Sequence, residues 1–562
     1  MCNQIQGFGS EPISIPPNEG YKFCGKYFGN QDWRFRQIEM QVDTCISNLT
    51  ELEGLSTIQT QFKLLQVCDS SKLSHLLRLY PPSFLAPLYE RWDEALVDWA
   101  MTKFNLPIHT RTLWRSHIRR VLSPVRYAGI GLKSLVRGAH AGFLCAWSAV
   151  INDGVACNPS IHAAIEDLKL AANNSSEALR SNSALGAEIL AAIRQIHQGI
   201  SQNEINNFYP APPALTAMQL RRLPNIHGSN FWSCCADKGS QRKLREVDNC
   251  RRYQAELEDI TTSVTHNRML RESANKKGKA GATLRTKGVG ISQMSDAAFR
   301  MKVCGHLGVP YPSIYRLLTP EDVDRSGQVF TACVRDEENR VIPCPLCNKN
   351  LLDNLGRHFA KCCKVNRSLT HNLSCLQVRH LIQTTLAIPT PVILEEANLM
   401  IDGSSPNLQN HRSDVNALIS GIMYVTDISI CTNALQPNRD ELQEMGRSIR
   451  KREEQKRRKY SQLRREYKFV PLVFGATGFV GTSAAHFFKI LADAVDSLGR
   501  IPIWYYWQNI IPEFLTVIDI GNCLTHETFF RTLNRRDNPQ RTRIIDSSNR
   551  RGFPSNAPRS YF

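Results

Sequence analysis

The stretch RSDVNALISGIMYVTDISICT, residues 412–432, constrains the fold more than any other. Two β-rich runs, Val415–Ile419 and Ile422–Ile430, flank Ser420-Gly421, which reads as a two-residue hairpin turn. In such a hairpin, residues equally far from the turn are opposed. Asp414 lies seven positions before Gly421 and Asp427 seven after Ser420, so they face each other. Opposed Cβ atoms sit about 4.5–5.5 Å apart. Two carboxylates that close repel unless they are solvated, protonated or bridged by a cation. Hard oxygen donors converging in this way suit Mg²⁺ or Mn²⁺. A one-residue slip in the turn would leave Asp414 at a solvated strand end. Asp427 would still need a partner, because it is a charge inside the β-branched YVTDISI.

Residues 438–468 read as a charge-dense helix. From Pro437 to Lys468 there are twelve Lys/Arg and six Asp/Glu, a net of +6. Glu453 and Glu454 can pair with Arg457 and Arg458 at i,i+4, as on a plain exposed helix. A lysine of that helix laid beside the hairpin would instead polarise a scissile phosphate or orient an attacking water. Lys456 and Lys459, the latter followed by Tyr460, are the candidates, and Arg457 and Arg458 are placed to hold a nucleic-acid backbone. The whole chain has a net charge of +18 and a pI near 9.2. Such a surplus points to a polyanionic partner, most often nucleic acid. The Lys/Arg/Gly-rich SANKKGKAGATLRTKG (273–288), with Lys276, Lys277 and Lys279, reads as an exposed, disordered basic loop that contacts it.

Cys344-x2-Cys347-x10-His358-x4-Cys363 has the order and spacing of a small Cys-Cys-His-Cys zinc site. His358 and Cys363 stand about a helical turn apart, and Cys362 competes for the fourth position. Some 20 residues bury no core of their own, so a structural Zn²⁺ would hold the segment together. The N-terminal MCNQIQGFGSEPISIPP lacks the basic and apolar regions of a signal peptide, and no run of about 18 apolar residues occurs. The expected setting is therefore a reducing compartment without membrane insertion, in which the 18 cysteines stay thiols.

Fold class reads as α+β and multidomain, with an α-helical N-terminal half, a small zinc knuckle and an α/β domain with a mixed sheet. The expected divisions are an N-terminal extension (1–32), a helical domain (33–200), a linker with the basic loop (201–290) and a helical segment (291–340). The knuckle (341–375), the α/β domain (376–500) and a C-terminal segment (501–562), disordered from about 535, follow. KFVPLVFGATGFVGTSAAHFFKIL (468–491) imitates a dinucleotide cradle through Gly475, Gly478 and Gly481. The acidic residue expected some 20 positions on is missing from LGRIPIWYYW, and no Tyr-x-x-x-Lys follows. The glycines read instead as a tight bend, and no dinucleotide cofactor is expected.

Taken in order, the knuckle, Arg412-x-Asp414, Thr426-Asp427-Ile428-Ser429, Lys456-x-x-Lys459-Tyr460 and the Phe-Val-Pro-Leu-Val-Phe strand resemble a known arrangement. It is the C-terminal end of non-LTR retrotransposon polyproteins that carry a restriction-like endonuclease. SLTHN (368–372) resembles the Arg-His-Asn that follows the knuckle there. LLRLYPP (76–82) and LSPVRYAGIGLKSLVRGAHAGFLCAW (122–147) resemble the helical region behind the reverse transcriptase. The resemblance implies a nuclease that nicks one DNA strand, with Asp414 and Asp427 on the catalytic cation and Lys456 or Lys459 as the catalytic lysine. Glu395 or Glu396 would correspond to a further active-site acid. It also implies DNA and element RNA as partners, and a nuclear location. This chain has Ser413 where the family has proline, and it lacks the Tyr/Phe-x-Asp-Asp polymerase signature, which leaves open whether a reverse transcriptase acts in trans. The alternative is a nucleic-acid-binding remnant that does not cut.

Overall fold

The computed structural model describes residues 4–5, 13–14, 19–23, 25–69, 72–106, 119–152, 293–307, 368–386, 392–394, 413–431, 441–463, 465–475 and 480–521. Isolated positions from 188 to 284, and 309, 343, 344, 347 and 523, complete the set. The architecture is α+β: among the described residues, helices stand with two small antiparallel ribbons and one four-stranded mixed sheet. Two compact units divide the chain, Met1–Asp296 with His306–Val309 and Ala297–Gly305 with Pro310–Phe562. Among the described residues no helix is long and apolar enough to cross a membrane.

In the first unit, β1 (Gln4–Ile5) pairs with β2 (Ile13–Ser14), and β3 (Gly20–Phe23) with β4 (Lys26–Gly29). Asn30 starts α1 (Gln31–Glu51) by accepting the Trp33 amide at 2.7 Å, an N-cap of the expected chemistry. After α2 (Ile58–Leu64) and one turn at Leu76–Leu79, Pro81-Pro82 stops one pattern and starts α3 (Pro82–Lys103), since proline fits a helix's first turn. Trp92, Tyr80, Tyr89, Phe62 and Phe104 form the buried centre. α4 (Val136–Asn152) packs on the Leu76–Leu79 turn and on α3.

Two buried charges in this unit meet helix ends. Asp93 of α3 accepts the Ser134 hydroxyl and the Leu135 amide (2.8 Å) where α4 begins. Arg120 is fully buried; its guanidinium donates to the carbonyl oxygens of Ala128 and of Leu307 (2.9 Å), the latter at the end of α5 (Asp296–Leu307). Carbonyls at a helix C-terminus carry partial negative charge, which favours a cation there.

In the second unit, β5 (Val392–Leu394), β6 (Val415–Ile419), β7 (Ile422–Cys431) and β8 (Tyr467–Gly475) form the sheet in that order. β5–β6 and β6–β7 are antiparallel, whereas β7–β8 is parallel. Ser420 (φ 49°) and Gly421 (φ 78°) both take left-handed values, as the hairpin turn of matching twist requires. Pro471 is accommodated because β8 is an edge strand.

Helices cover both faces. α6 (Ser368–Leu386) packs on β5–β7, α7 (Glu441–Lys459) on β7 and β8, and α8 (Thr482–Leu498) on β8 and α6. Strand alternation sorts the contacts: Tyr424 turns toward Phe487 of α8, while Asp427 and Ser429, on the opposite face, meet α7. α6 runs unbroken across 375/376, and residues beyond 500 return to the core. Tyr506 donates to the Phe488 carbonyl at 2.9 Å, and Phe514 packs on Phe474 and Phe488.

Burial pushes the Asp93 carboxyl up to about 6, against the hydrogen bonds from Ser134 and Leu135. Its proton is therefore held more tightly in the folded chain than in the unfolded one. The first unit should lose stability as pH rises from about 4 to about 6, by roughly 3 kcal/mol. Asp93→Asn keeps an acceptor for the Leu135 amide, lets its NH2 donate to the Ser134 hydroxyl oxygen, and should flatten that slope, as read by urea denaturation across the pH range.

Candidate active site

At the open end of the β6–β7 hairpin, the regular pairing stops at Val415–Thr426, and Asp414 and Asp427 are the residues next to that last pair. Asp414 sits at a bend just before β6. Its amide donates to the Thr426 carbonyl at 3.0 Å, and its Oδ2 accepts the Ile428 amide, so the carboxylate extends the ladder where the strand stops. The same Oδ2 lies 3.2 Å from Nε2 of His371 on α6. Burial works to raise the Asp414 carboxyl, but the His371 and Ile428 hydrogen bonds outweigh it and hold the group below the usual carboxylate range. The His371 imidazole is pushed up to about 11, by Asp414 first and Cys375 second.

Asp427 has only 4% of its side chain exposed. Lys456 of α7 donates to its Oδ1, and Lys459 Nζ lies 3.6 Å from its Oδ2. Lys456 also acts on Asp414 through its charge. Tyr460 stacks on Phe469, with centroids 4.3 Å apart, and accepts a 3.2 Å hydrogen bond from Lys459. Its hydroxyl is held well above the ordinary tyrosine range by burial, then by Asp427 and Asp414. The two carboxylates, both lysines and the tyrosine picked out in the sequence thus share one neighbourhood. Of that group only Lys456 lines an open cleft of about 350 Å³, together with His371, Asn372, Ser429 and Arg452; the partners of Asp414 and Asp427, rather than the carboxylates themselves, face it.

Two donor sets meet at Asp414. With Asp427 it offers hard oxygens. With His371 and Cys375, one helical turn apart on α6, it forms a group whose ligand atoms lie within 4.8 Å of one another. That nitrogen–sulfur–oxygen set suits a softer ion such as Zn²⁺ better than Mg²⁺.

Glu453 departs from the expected i,i+4 pairing. It is 5% exposed, and its Oε1 accepts the Ser483 amide at 2.9 Å in the first turn of α8. Arg457 donates to the Ser483 hydroxyl at 2.8 Å, and Arg458 is exposed. The bend belongs with this contact: a Cβ on Gly481 would come within 2.6 Å of Glu453 Oε1 and 2.7 Å of the Val473 carbonyl. Thus the helix N-terminus that a pyrophosphate would approach is engaged by the chain's own carboxylate.

Cys344 and Cys347 are both buried. His358, Cys362, Cys363, Glu395, Glu396, Lys276, Lys277 and Lys279 lie outside the described residues, as does the segment from about 535. His371, Cys375, Ser429 and Arg452 were not singled out from the sequence. The nearest signal was SLTHN, which contains His371 but does not show what it faces. No protein-family model matches the sequence, and no curated protein matches it.

Gly481→Ala should cost about 1–3 kcal/mol, because the Val473 carbonyl is backbone and cannot yield easily. Glu453→Ala should cost about 1–2 kcal/mol by uncapping α8, and Glu453→Gln less, since an acceptor remains. Denaturant midpoints of the second unit's transition check all three, and equal midpoints for parent and Glu453→Ala would remove the capping role.

Proposed function

We propose that the second unit is a metal-dependent endonuclease that nicks DNA, akin to the target-nicking module of non-LTR retrotransposons. The observation that carries this reading is that Lys456 of α7 acts on both Asp414, just before β6, and Asp427 of β7, while itself lining an open cleft. The proposed fold of the unit is restriction-endonuclease-like, built on the mixed sheet with helices on both faces.

Asp414 and Asp427 suit Mg²⁺ or Mn²⁺ by donor chemistry, as a half-buried and a buried carboxylate near one end of the hairpin with a cationic group already drawn to them. The ion would supply charge neutralisation at the phosphate and a more acidic bound water. The chain's own groups divide the remaining work. Lys456 is placed to neutralise charge developing on a phosphate oxygen. Lys459 and Tyr460 wall the far side of Asp427 and hold its orientation. Arg452, hydrogen-bonded to Ser429 at 3.4 Å, and the exposed Arg458 offer phosphate contacts along α7. Zn²⁺ at Cys344, Cys347, His358 and Cys363 or Cys362 would be structural. The proposed partners are DNA and element RNA, in the nucleus.

A second reading, a nucleic-acid-binding protein without catalysis, draws on Asp427 being held by two lysines, which leaves its charge already compensated. Conversion of supercoiled plasmid to open circles in Mg²⁺ separates the two. The parent should nick, Asp427→Ala should lose on the order of 10²–10³-fold, and Lys456→Ala about 10²-fold. Equal nicking by parent and Asp427→Ala would reject the site, and DNA binding without nicking in the parent would favour the second reading.

A further inference from the structure

The first unit holds a larger cavity, about 570 Å³, lined by described residues of that unit. Lys63, Arg126, Lys133, Arg137 and Arg245 line it, and no acidic side chain does so among the described residues. Cations do not collect round a cavity without cost. Lys133 is held below the ordinary lysine range by burial and then by Arg245, and Arg245 is likewise lowered by burial and then by Arg78.

The placement of Arg245 is the telling detail. Gln241, Arg245 and Asn249, spaced four apart, bring one helical face to the cavity wall. Gln241 is fixed by Arg78, which donates to its Oε1 through Nε (3.1 Å) and Nη2 (2.7 Å). Arg245 presses on α4, where a Cβ at Gly138 would fall 2.6 Å from its Nη2. Its Nε and Nη2 are buried and have no hydrogen-bond partner. Leaving buried donors of a charged group unmade costs about 1–3 kcal/mol or more. A guanidinium with idle donors, beside further cations and Gln241 and Asn249 amides, is complementary to a phosphoryl group.

We infer that this cavity binds the phosphoryl group of a nucleotide-sized ligand, with Arg245 and Lys133 as its principal contacts. The same chemistry is offered by a free nucleotide and by the backbone of a nucleic-acid strand. The site is separate from the proposed nuclease centre and does not depend on it.

Calorimetric titration of the full-length protein with inorganic pyrophosphate, a nucleoside monophosphate and a short oligothymidylate tests the inference. The parent should bind pyrophosphate, and Lys133→Gln/Arg245→Gln should weaken it at least about tenfold. Stronger binding of the oligothymidylate than of the monophosphate assigns a strand backbone, and the reverse assigns a free nucleotide. Should the double variant fail to fold, acylation of Lys133 in the parent at neutral pH gives a second readout. Pyrophosphate should slow that labelling several-fold without slowing labelling of the exposed Lys451. Unchanged affinity in a folded double variant, or unprotected Lys133 at saturating pyrophosphate, would overturn the site.

Discussion

The contact between Glu453 and the first turn of α8 is the constraint on which the second unit's arrangement depends. It joins α7 to the bend that follows β8, so the elements on either side of the parallel strand are fixed together. Glu453 and Lys456 are three positions apart and share a helix face. Once the carboxylate is seated at Ser483, Lys456 has little freedom except to lie over β7. There it meets Asp427, and the compensated charge can stay buried at a sheet position that would otherwise reject it. Capping, helix placement and site assembly are therefore one geometric event.

The hairpin was legible because its information is local. Turn residues tolerant of positive φ, two β-rich runs and equal counting to either side suffice to bring Asp414 and Asp427 to the same end of the hairpin, although the paired register stops one step short of them. Lys456, Lys459 and Tyr460 were legible as a helical cluster, although nothing in their spacing ranks Lys456 first. His371 was not, because its partner lies 43 positions away and the pattern of α6 does not say which face meets a strand end. Glu453 misled for a related reason. An i,i+4 arginine is always on hand in so basic a helix, whereas the acceptor site it fills exists only after α8 has packed. Gly481 lay between: the need for closeness showed, but not what approached. At the scale of the fold, helices and strands followed from periodicity, while the run of α6 across 375/376 and the return of residues beyond 500 depended on packing that no local window contains.

The first unit shows the same dependence in its buried charges. Asp93 and Arg120 look like ordinary surface residues in sequence, since an isolated acid or base inside a helical stretch gives no hint of depth. Each is tolerated because a helix end supplies the opposite partial charge, amide hydrogens for Asp93 and carbonyl oxygens for Arg120. Main-chain dipoles do there what side-chain ion pairs do at Asp427.

The parallel pairing of β7 with β8 also sets an order of events for the nascent chain. The β6–β7 hairpin can close by itself within about 1–10 μs. The strand that covers the far edge of β7 is not made until the ribosome has passed through α7. At roughly 5–20 residues per second, synthesis of the segment between Cys431 and Gly475 takes several seconds. During that interval an apolar β7 edge is open to any extended segment nearby. The highly charged α7, emerging first, is well suited to keep neighbouring chains apart until β8 arrives.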